Sequence, residues 1–374
     1  MARSRSDFRQ GLGQLLIVGF DGTEMASRLR SLLRSIQPAG VILFARNIVN
    51  AQQTHRLLKD CQASVSTPLF TCVDVEGGTV DRLRNIIGAS PAAADVFATG
   101  GRKLFRKHGA IIGKACRTLG LNTDLAPVVD LASETSSAVM GSRVVSSDPE
   151  QVTLYGREFL AGLRSAGVLG ALKHFPGLGA ANLDTHKGLP EVNKSFRELW
   201  KQDIAPYRRL RHYSPMILVG HAAYPAVTRD RTPASLSKKW ITEILRKKIQ
   251  YRGLVISDDL EMGGVLQCME VAQAAVEHIR AGGDIGLVCH REEHVLGAYE
   301  AMVAEAERDS GFARRLWESI ARVLSFKKRC KELKRRVSAP SAAVVQKLSQ
   351  EFWEFGEQVR MDSLERQVSG PEPA

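Results

Sequence analysis

The chain has 374 residues, 44% of them hydrophobic and 25% charged, with a formal net charge of +12. This is ordinary soluble usage, long enough to bury one large α/β domain or two smaller ones, and no apolar run approaches the ~20 residues that cross a bilayer. The opening MARSRSDFRQGLGQ has basic residues but no apolar core segment or small-residue cleavage site, so neither an export signal nor stable membrane insertion is expected, and the location is read as cytoplasmic.

Eight short apolar runs alternate with segments of helical period. Gln14–Phe20 (QLLIVGF) comes first, followed by the helix-like EMASRLRSLLRSIQ. Gly40–Phe44 precedes a helix from about Ala51, and Pro68–Asp74 is the third run. The fourth lies within Leu121–Leu131, the fifth is Gly170–His174, and the sixth is Pro215–His221. Leu254–Asp258 and Ile285–His290 are the seventh and eighth. Helices are expected over 94–118, 150–165, 195–210, 238–249, 268–281 and 292–307. Nearly continuous apolar runs suit strands buried on both faces, and βα alternation implies a parallel sheet. Eight such units in one chain predict an α/β fold, a (β/α)8 TIM barrel, over 1–335. A dinucleotide-binding fold is disfavoured, because the first turn reads Gly19-Phe20-Asp21-Gly22-Thr23 and lacks GxGxxG.

Residues 336–374 read as a linker around Pro340, an amphipathic helix over 342–364 carrying Phe352, Trp353 and Phe355, and a disordered end. The basic run 326–336 lacks interleaved aromatics and any nucleic-acid motif, so it reads as a solvated helix face. The six cysteines are scattered without a CxxC, as suits buried reduced thiols.

Chemistry on such a barrel belongs at the carboxyl ends of its strands. Here the ends are ionisable: Asp74, Asp130, Lys173-His174, His221, Asp258-Asp259 and His290. After the fifth strand, a Gly- and Pro-rich loop carries Asp184 and His186. Two chemistries fit this rim. Metal-assisted hydrolysis would draw on His174, His186, His221 and His290, but no HxH or HExxH pair is present. Retaining glycoside hydrolysis needs a rigid nucleophilic carboxylate, for which Asp258 is placed, and a proton donor, for which His186 with Asp184 is suited.

The ordered set GVILFARNI (Gly40–Ile48), DVEGGTVDRL (Asp74–Leu83), APVVD (Ala126–Asp130), MGSRVVSSDP (Met140–Pro149), KHFPGLG with DTH, GHAAYPA (Gly220–Ala226) and VISDDLEM (Val255–Met262) resembles the glycoside hydrolase family 3 β-N-acetylglucosaminidases, the single-domain kind of bacterial peptidoglycan recycling. The resemblance extends from about Gly11 to Arg329 and implies a (β/α)8 barrel. It further implies Asp258 as nucleophile, His186 as acid/base, Asp184 as its dyad partner, and Asp74, Arg82, Arg143, Lys173 and His174 as residues holding N-acetylglucosamine. No metal or organic cofactor is implied. The expected substrate is a muropeptide-type saccharide, and the protein is expected to be a monomer without a nucleic-acid partner. Asp259 is read as a helix cap or the partner of a base, Glu76 as serving the Gly77-Gly78 turn, and His221 as a wall or supporting residue. Leu178 stands where the family usually has histidine, and Val75 where it has glutamine. The alternatives are a family 3 β-glucosidase or β-xylosidase and a catalytically decayed basic binding protein.

Overall fold

The computed structural model describes residues 11–133, 139–181 and 188–369. The apolar runs form eight parallel strands: β1 (Leu16–Val18), β2 (Gly40–Ile42), β3 (Phe70–Val73), β4 (Thr123–Asp124), β5 (Leu169–Phe175), β6 (Met216–Val219), β7 (Leu254–Asp259) and β8 (Ile285–Val288). Each pairs with the next, and β8 returns to β1 with Leu16 opposite Gly286, closing a barrel. The expected (β/α)8 architecture is therefore present. Residues of β1, β5 and β8 are buried throughout, because side chains fill the interior and helices cover the outside. The fourth run contributes only a two-residue strand. It leaves the ladder after Asp124 and meets β5 again through a bridge between Val128 and Lys173.

The surrounding helices follow their sequence signals. In α1 (Ser27–Ile36), Leu29, Leu32, Leu33 and Ile36 recur at helical spacing and are the buried residues. The helices α2 (Ala51–Ala63) and α3 (Arg102–Thr118) follow, and then α4 (Pro149–Ala166). Asp148 caps α4 through the Glu150 N–H, Pro149 occupies its first turn, and Gly167 ends it with φ 78°. Farther on come α5 (Val271–Ala281), α6 (Glu292–Arg308), α7 (Ser310–Arg329) and α8 (Ala342–Ser369).

Two expected helices are broken. The 94–118 segment divides into Ala93–Ala98 and α3 at Gly100, where φ is +67°. The 195–210 segment divides into Phe196–Lys201 and Ala205–Leu210, with Pro206 in the first turn of the second piece. Lys239–Lys248 is one helix of unusually wide turns, closed by Ile249 N–H on Ile244 O at 2.8 Å.

At the amino end of the barrel, Lys327 departs from the solvated face expected of the 326–336 run. It is only 3% exposed, and its Nζ donates to Gln14 Oε1 and Ala39 O, each at 2.7 Å. The neighbouring Lys328, Arg329, Lys331, Lys334, Arg335 and Arg336 are exposed as expected. The helix α8 lies against α3 and the short helices Arg84–Ile87 and Ala93–Ala98. It buries Leu348, Phe352, Phe355 and Val359, whose spacing makes one apolar stripe, while Trp353 is 63% exposed. All six cysteines are free and only Cys268 is exposed. Among the described residues no helix is long and apolar enough to cross a membrane.

Candidate active site

Side chains from the carboxyl ends of the strands meet at a cavity of about 270 Å³. Asp74, Arg82, Arg143, Lys173, His174 and Asp258 line it, together with apolar Phe44, Met140, Leu178 and Met262. Ligand pockets commonly hold about 300–1,000 Å³, so this one suits a single ring rather than a long chain.

Its first wall is built by the sequence after β3. The hairpin Val75–Gly77 with Val80–Asp81 turns at Gly77 (φ +89°) and Gly78 (φ +60°). A side chain at Gly77 would put its Cβ 2.1 Å from Pro91 O, so both the backbone angle and the close approach demand glycine. The turn aims Glu76 inward. Glu76 was expected to serve the turn itself. Instead it is 3% exposed and accepts two hydrogen bonds from Arg143, from Nε at 2.7 Å and Nη2 at 2.9 Å. Lys173 Nζ lies 2.6 Å from Glu76 Oε1 and 2.8 Å from Asp74 Oδ1. Beneath them, Asp124 Oδ1 accepts from the Val75 N–H at 2.9 Å and fixes the backbone between the two carboxylates.

Burial alone would neutralise these groups, and their mutual charges prevent it. Desolvation pushes Glu76 up, but Lys173 and Arg143 outweigh it and hold the carboxyl far below its ordinary value. Desolvation pushes Lys173 down, and Asp74 and Glu76 reverse that, so the ammonium is retained. Arg143 behaves likewise against Glu76. The result is a fixed set of donors and acceptors matched to directional hydroxyl groups.

The second wall comes from β5. His174 Nδ1 donates to Asp130 Oδ2 at 2.7 Å, and Asp130 also accepts the backbone N–H groups of His174 and Leu178. His174 Nε2 is 3.4 Å from Arg143 Nη2.

The third wall is β7. Asp258 accepts the Asp259 N–H at 2.9 Å, and burial, which raises its pKa, is outweighed by the positive potential of His174, His221 and Lys173. The carboxyl therefore sits below its usual range and is ionised at neutral pH. Asp259 is occupied elsewhere: Oδ1 accepts from Glu261 N–H at 3.1 Å and Cys289 N–H at 3.2 Å, and Oδ2 lies 3.2 Å from His290 Nε2. That pairing with a base matches the reading of Asp259. His221 is wholly buried, with Nε2 donating to Asp259 O at 2.8 Å and Nδ1 against Ser235 Oγ at 2.7 Å. Burial lowers its pKa while Asp258 and Asp259 oppose that shift, and the two bonds brace the end of β7.

The structure thus brings six of the expected site residues to one cavity: Asp74, Arg82, Arg143, Lys173, His174 and Asp258. Asp184 and His186 lie outside the described residues. Of the flanking described positions, Ala181 lines the cavity, and Gly188 O sits where a Cβ on Gly264, just after β7, would be 3.1 Å away. Sequence reasoning missed Glu76 as the buried counter-ion, Asp124 as the brace of β3, and Asp130 as the acceptor that orients His174. Among the described residues no group of three or more His, Cys, Asp or Glu side chains is arranged to hold a metal ion.

Residues 8–326 match the glycosyl hydrolase family 3 N-terminal domain. The chain belongs to glycoside hydrolase family 3. It is similar to the β-hexosaminidase of Pseudomonas aeruginosa (strain LESB58), 35% identical over 276 residues that cover 74% of this chain and 82% of that one. The β-hexosaminidase of Idiomarina loihiensis is 30% identical over 299 residues, covering 79% and 89%. Among solved structures, the family 3 β-N-acetylglucosaminidase of Paenibacillus sp. str. FPU-7 superposes with a TM-score of 0.88 at 31% identity, over 96% of this chain and 69% of that one. A family 3 glycosyl hydrolase of Mycobacterium smegmatis gives 0.76 at 32% identity, over 85% and 96%. As a family 3 member the protein is a glycosidase, and the walls described above form the pocket at the carboxyl end of its barrel.

Proposed function

We propose that this family 3 glycosidase is a retaining exo-β-N-acetylglucosaminidase that releases terminal non-reducing N-acetylglucosamine from peptidoglycan fragments. The observation that carries the reading is Asp258, an ionised carboxylate at a strand tip with one donor among the described residues, facing a one-ring cavity where Asp74, Glu76, Arg143 and Lys173 already hold one another. The likeness to the β-N-acetylglucosaminidase of Paenibacillus and to curated β-hexosaminidases supports the choice of sugar.

In the first step Asp258 attacks the anomeric carbon. The C1–Oδ bond forms as the glycosidic C1–O bond breaks, and protonated His186 gives its proton to the leaving oxygen. In the second step water attacks C1, His186 takes the water proton, and the C1–Oδ bond breaks to return Asp258. Asp184 orients the imidazole and stabilises its charged form. Asp74, Lys173, Arg143, Arg82 and His174 hold the ring and favour its flattening toward the oxocarbenium-like state.

The test is hydrolysis of aryl β-glycosides with and without the 2-acetamido group, with proton NMR following the first-formed anomer. Turnover of the N-acetylglucosaminide with the β anomer appearing first is expected. Faster turnover of the glucoside or xyloside, or the α anomer first, would overturn the reading.

A further inference from the structure

The helix α8 lies outside the stretch that matches family 3, yet it packs on α3 and on the short helices Arg84–Ile87 and Ala93–Ala98, which follow the hairpin that carries Glu76 and leads into Arg82. The connection runs through His108 of α3. The Phe355 ring packs on the His108 imidazole with centroids 5.8 Å apart and planes 32° apart. His108 is fully buried and has Tyr155 OH at 2.9 Å from Nδ1 and Ser90 Oγ at 3.1 Å from Nε2. The same Nε2 lies 3.0 Å from where a Cβ on Gly77 would be, so the ring sits directly against the turn.

Ser90 then clasps the hairpin from outside. Its carbonyl accepts the Gly78 N–H at 2.9 Å, and its N–H donates to Asp81 Oδ2 at 3.0 Å. Asp81 Oδ1 takes the Leu83 N–H at 3.0 Å, and the Arg82 N–H reaches Asp74 O at 3.3 Å. Phe352 supports the same region, since its Cβ lies 4.0 Å from the Cβ position of Gly88. Burial keeps His108 uncharged, with its pKa lowered to about 3, so the ring acts as a packed spacer and not as a titrating group. On the outer side, Lys107 to Gln358 (2.7 Å) and Lys114 to Glu351 (2.6 Å) hold α8 in register on α3.

Arg82 lines the cavity, and its Nε is buried without a hydrogen-bond partner. Among the described residues no ion pair fixes its guanidinium, which lies 5.8 Å from the centroid of the Phe44 ring, and its placement depends on the backbone of the hairpin. We propose that α8 is a positioning element of the active site: Phe355 presses His108 onto the Gly77–Gly78 turn and thereby sets where Arg82 and Glu76 stand against the sugar. Phe355 and His108 are positioning residues, acting through the hairpin.

The kinetic part of the test rests on the proposed glycosidase reading, so a second readout is independent of it. In the full chain, hydrogen exchange is measured over residues 74–92 for wild type and Phe355→Ala, with urea unfolding as the reference for global stability. Faster exchange at Gly78, Leu83 and Ser90 than the global change accounts for is expected. With an aryl N-acetyl-β-glucosaminide, Phe355→Ala lowers kcat/KM about tenfold in the wild-type background and by less than about twofold when Arg82→Ala is already present. Unchanged exchange in the turn, or an equal loss in the Arg82→Ala background, would overturn the proposal, because a merely stabilising helix gives additive effects. Where Phe355→Ala fails to fold, Phe355→Leu, which keeps apolar volume but loses the ring stack, is read by the same two criteria. Absence of any wild-type turnover would remove the function proposed above while leaving the exchange experiment decisive for the helix.

Discussion

Replacing Glu76 by glutamine removes one charge from a buried cluster and leaves two cations short of a partner. Glu76 holds Arg143 through bonds of 2.7 and 2.9 Å and Lys173 through one of 2.6 Å, at 3% exposure. Glutamine can accept at one oxygen only, and its amide donors would face the Arg143 guanidinium. Breaking a buried pair by removing one partner costs about 3–5 kcal/mol, a large part of a typical stability of about 5–15 kcal/mol. Arg143 and Lys173 would also lose their placement, and displacements of an ångström cost about 100-fold in rate. Urea unfolding followed by the fluorescence of the four tryptophans measures the first effect, and aryl-glycoside kinetics the second. The pH dependence sharpens the test. Because Glu76 is held far below its ordinary 4.5, the folded protein binds fewer protons than the unfolded chain at pH below 4.5. Its contribution is complete above that pH and is lost as the pH falls toward the folded value. The gap between wild type and Glu76→Gln therefore narrows on acidification. A gap under about 1 kcal/mol at pH 7, or one that stays constant down to pH 3, would refute the reasoning.

Lys327 gives a dependence of the same sign in a higher pH window. Burial lowers it from 10.5 to about 7, so the unfolded chain binds more protons than the folded protein between those values and wild-type stability gains from rising pH there. Urea midpoints at pH 7 and 9 should rise for wild type by more than for Lys327→Met, and equal changes would contradict the assignment. For His186, alanine is expected to slow substrates with poor leaving groups far more than activated aryl glycosides, by about 100-fold or more against a much smaller loss. A uniform loss across leaving groups argues against proton donation by that ring.

The barrel was legible because β-strands covered on both faces must be apolar along their length, and GVILF, PMILV and LVIS leave little alternative. The boundaries were less so. The fourth strand shrinks to Thr123–Asp124, since APVV keeps its apolar character after it has left the ladder. Pro206 was a signal that the reading of 195–210 as one helix passed over, whereas the break at Gly100 depends on a backbone angle that the helical pattern on either side conceals. In the site, strand-end position marked Asp74, Lys173, His174 and Asp258 correctly as neighbours. Glu76 escaped because a carboxylate beside two glycines reads as a solvated turn. Its partners lie 67 residues on at Arg143 and on the next strand but one at Lys173, and no local spacing encodes that. Lys327 was misread for a related reason: one member of a basic run faces inward only because Gln14 and Ala39 offer it acceptors at the barrel's end.

The most direct measurement is mass spectrometry of the protein after incubation with a 5-fluorinated N-acetylglucosaminyl fluoride, whose slowed deglycosylation lets any covalent sugar accumulate. A gain of one sugar mass, mapped to Asp258 and absent from Asp258→Asn, is the predicted result. Attachment at another residue, or wild-type turnover that releases the α anomer first and never carries an adduct, would contradict a nucleophile on the seventh strand.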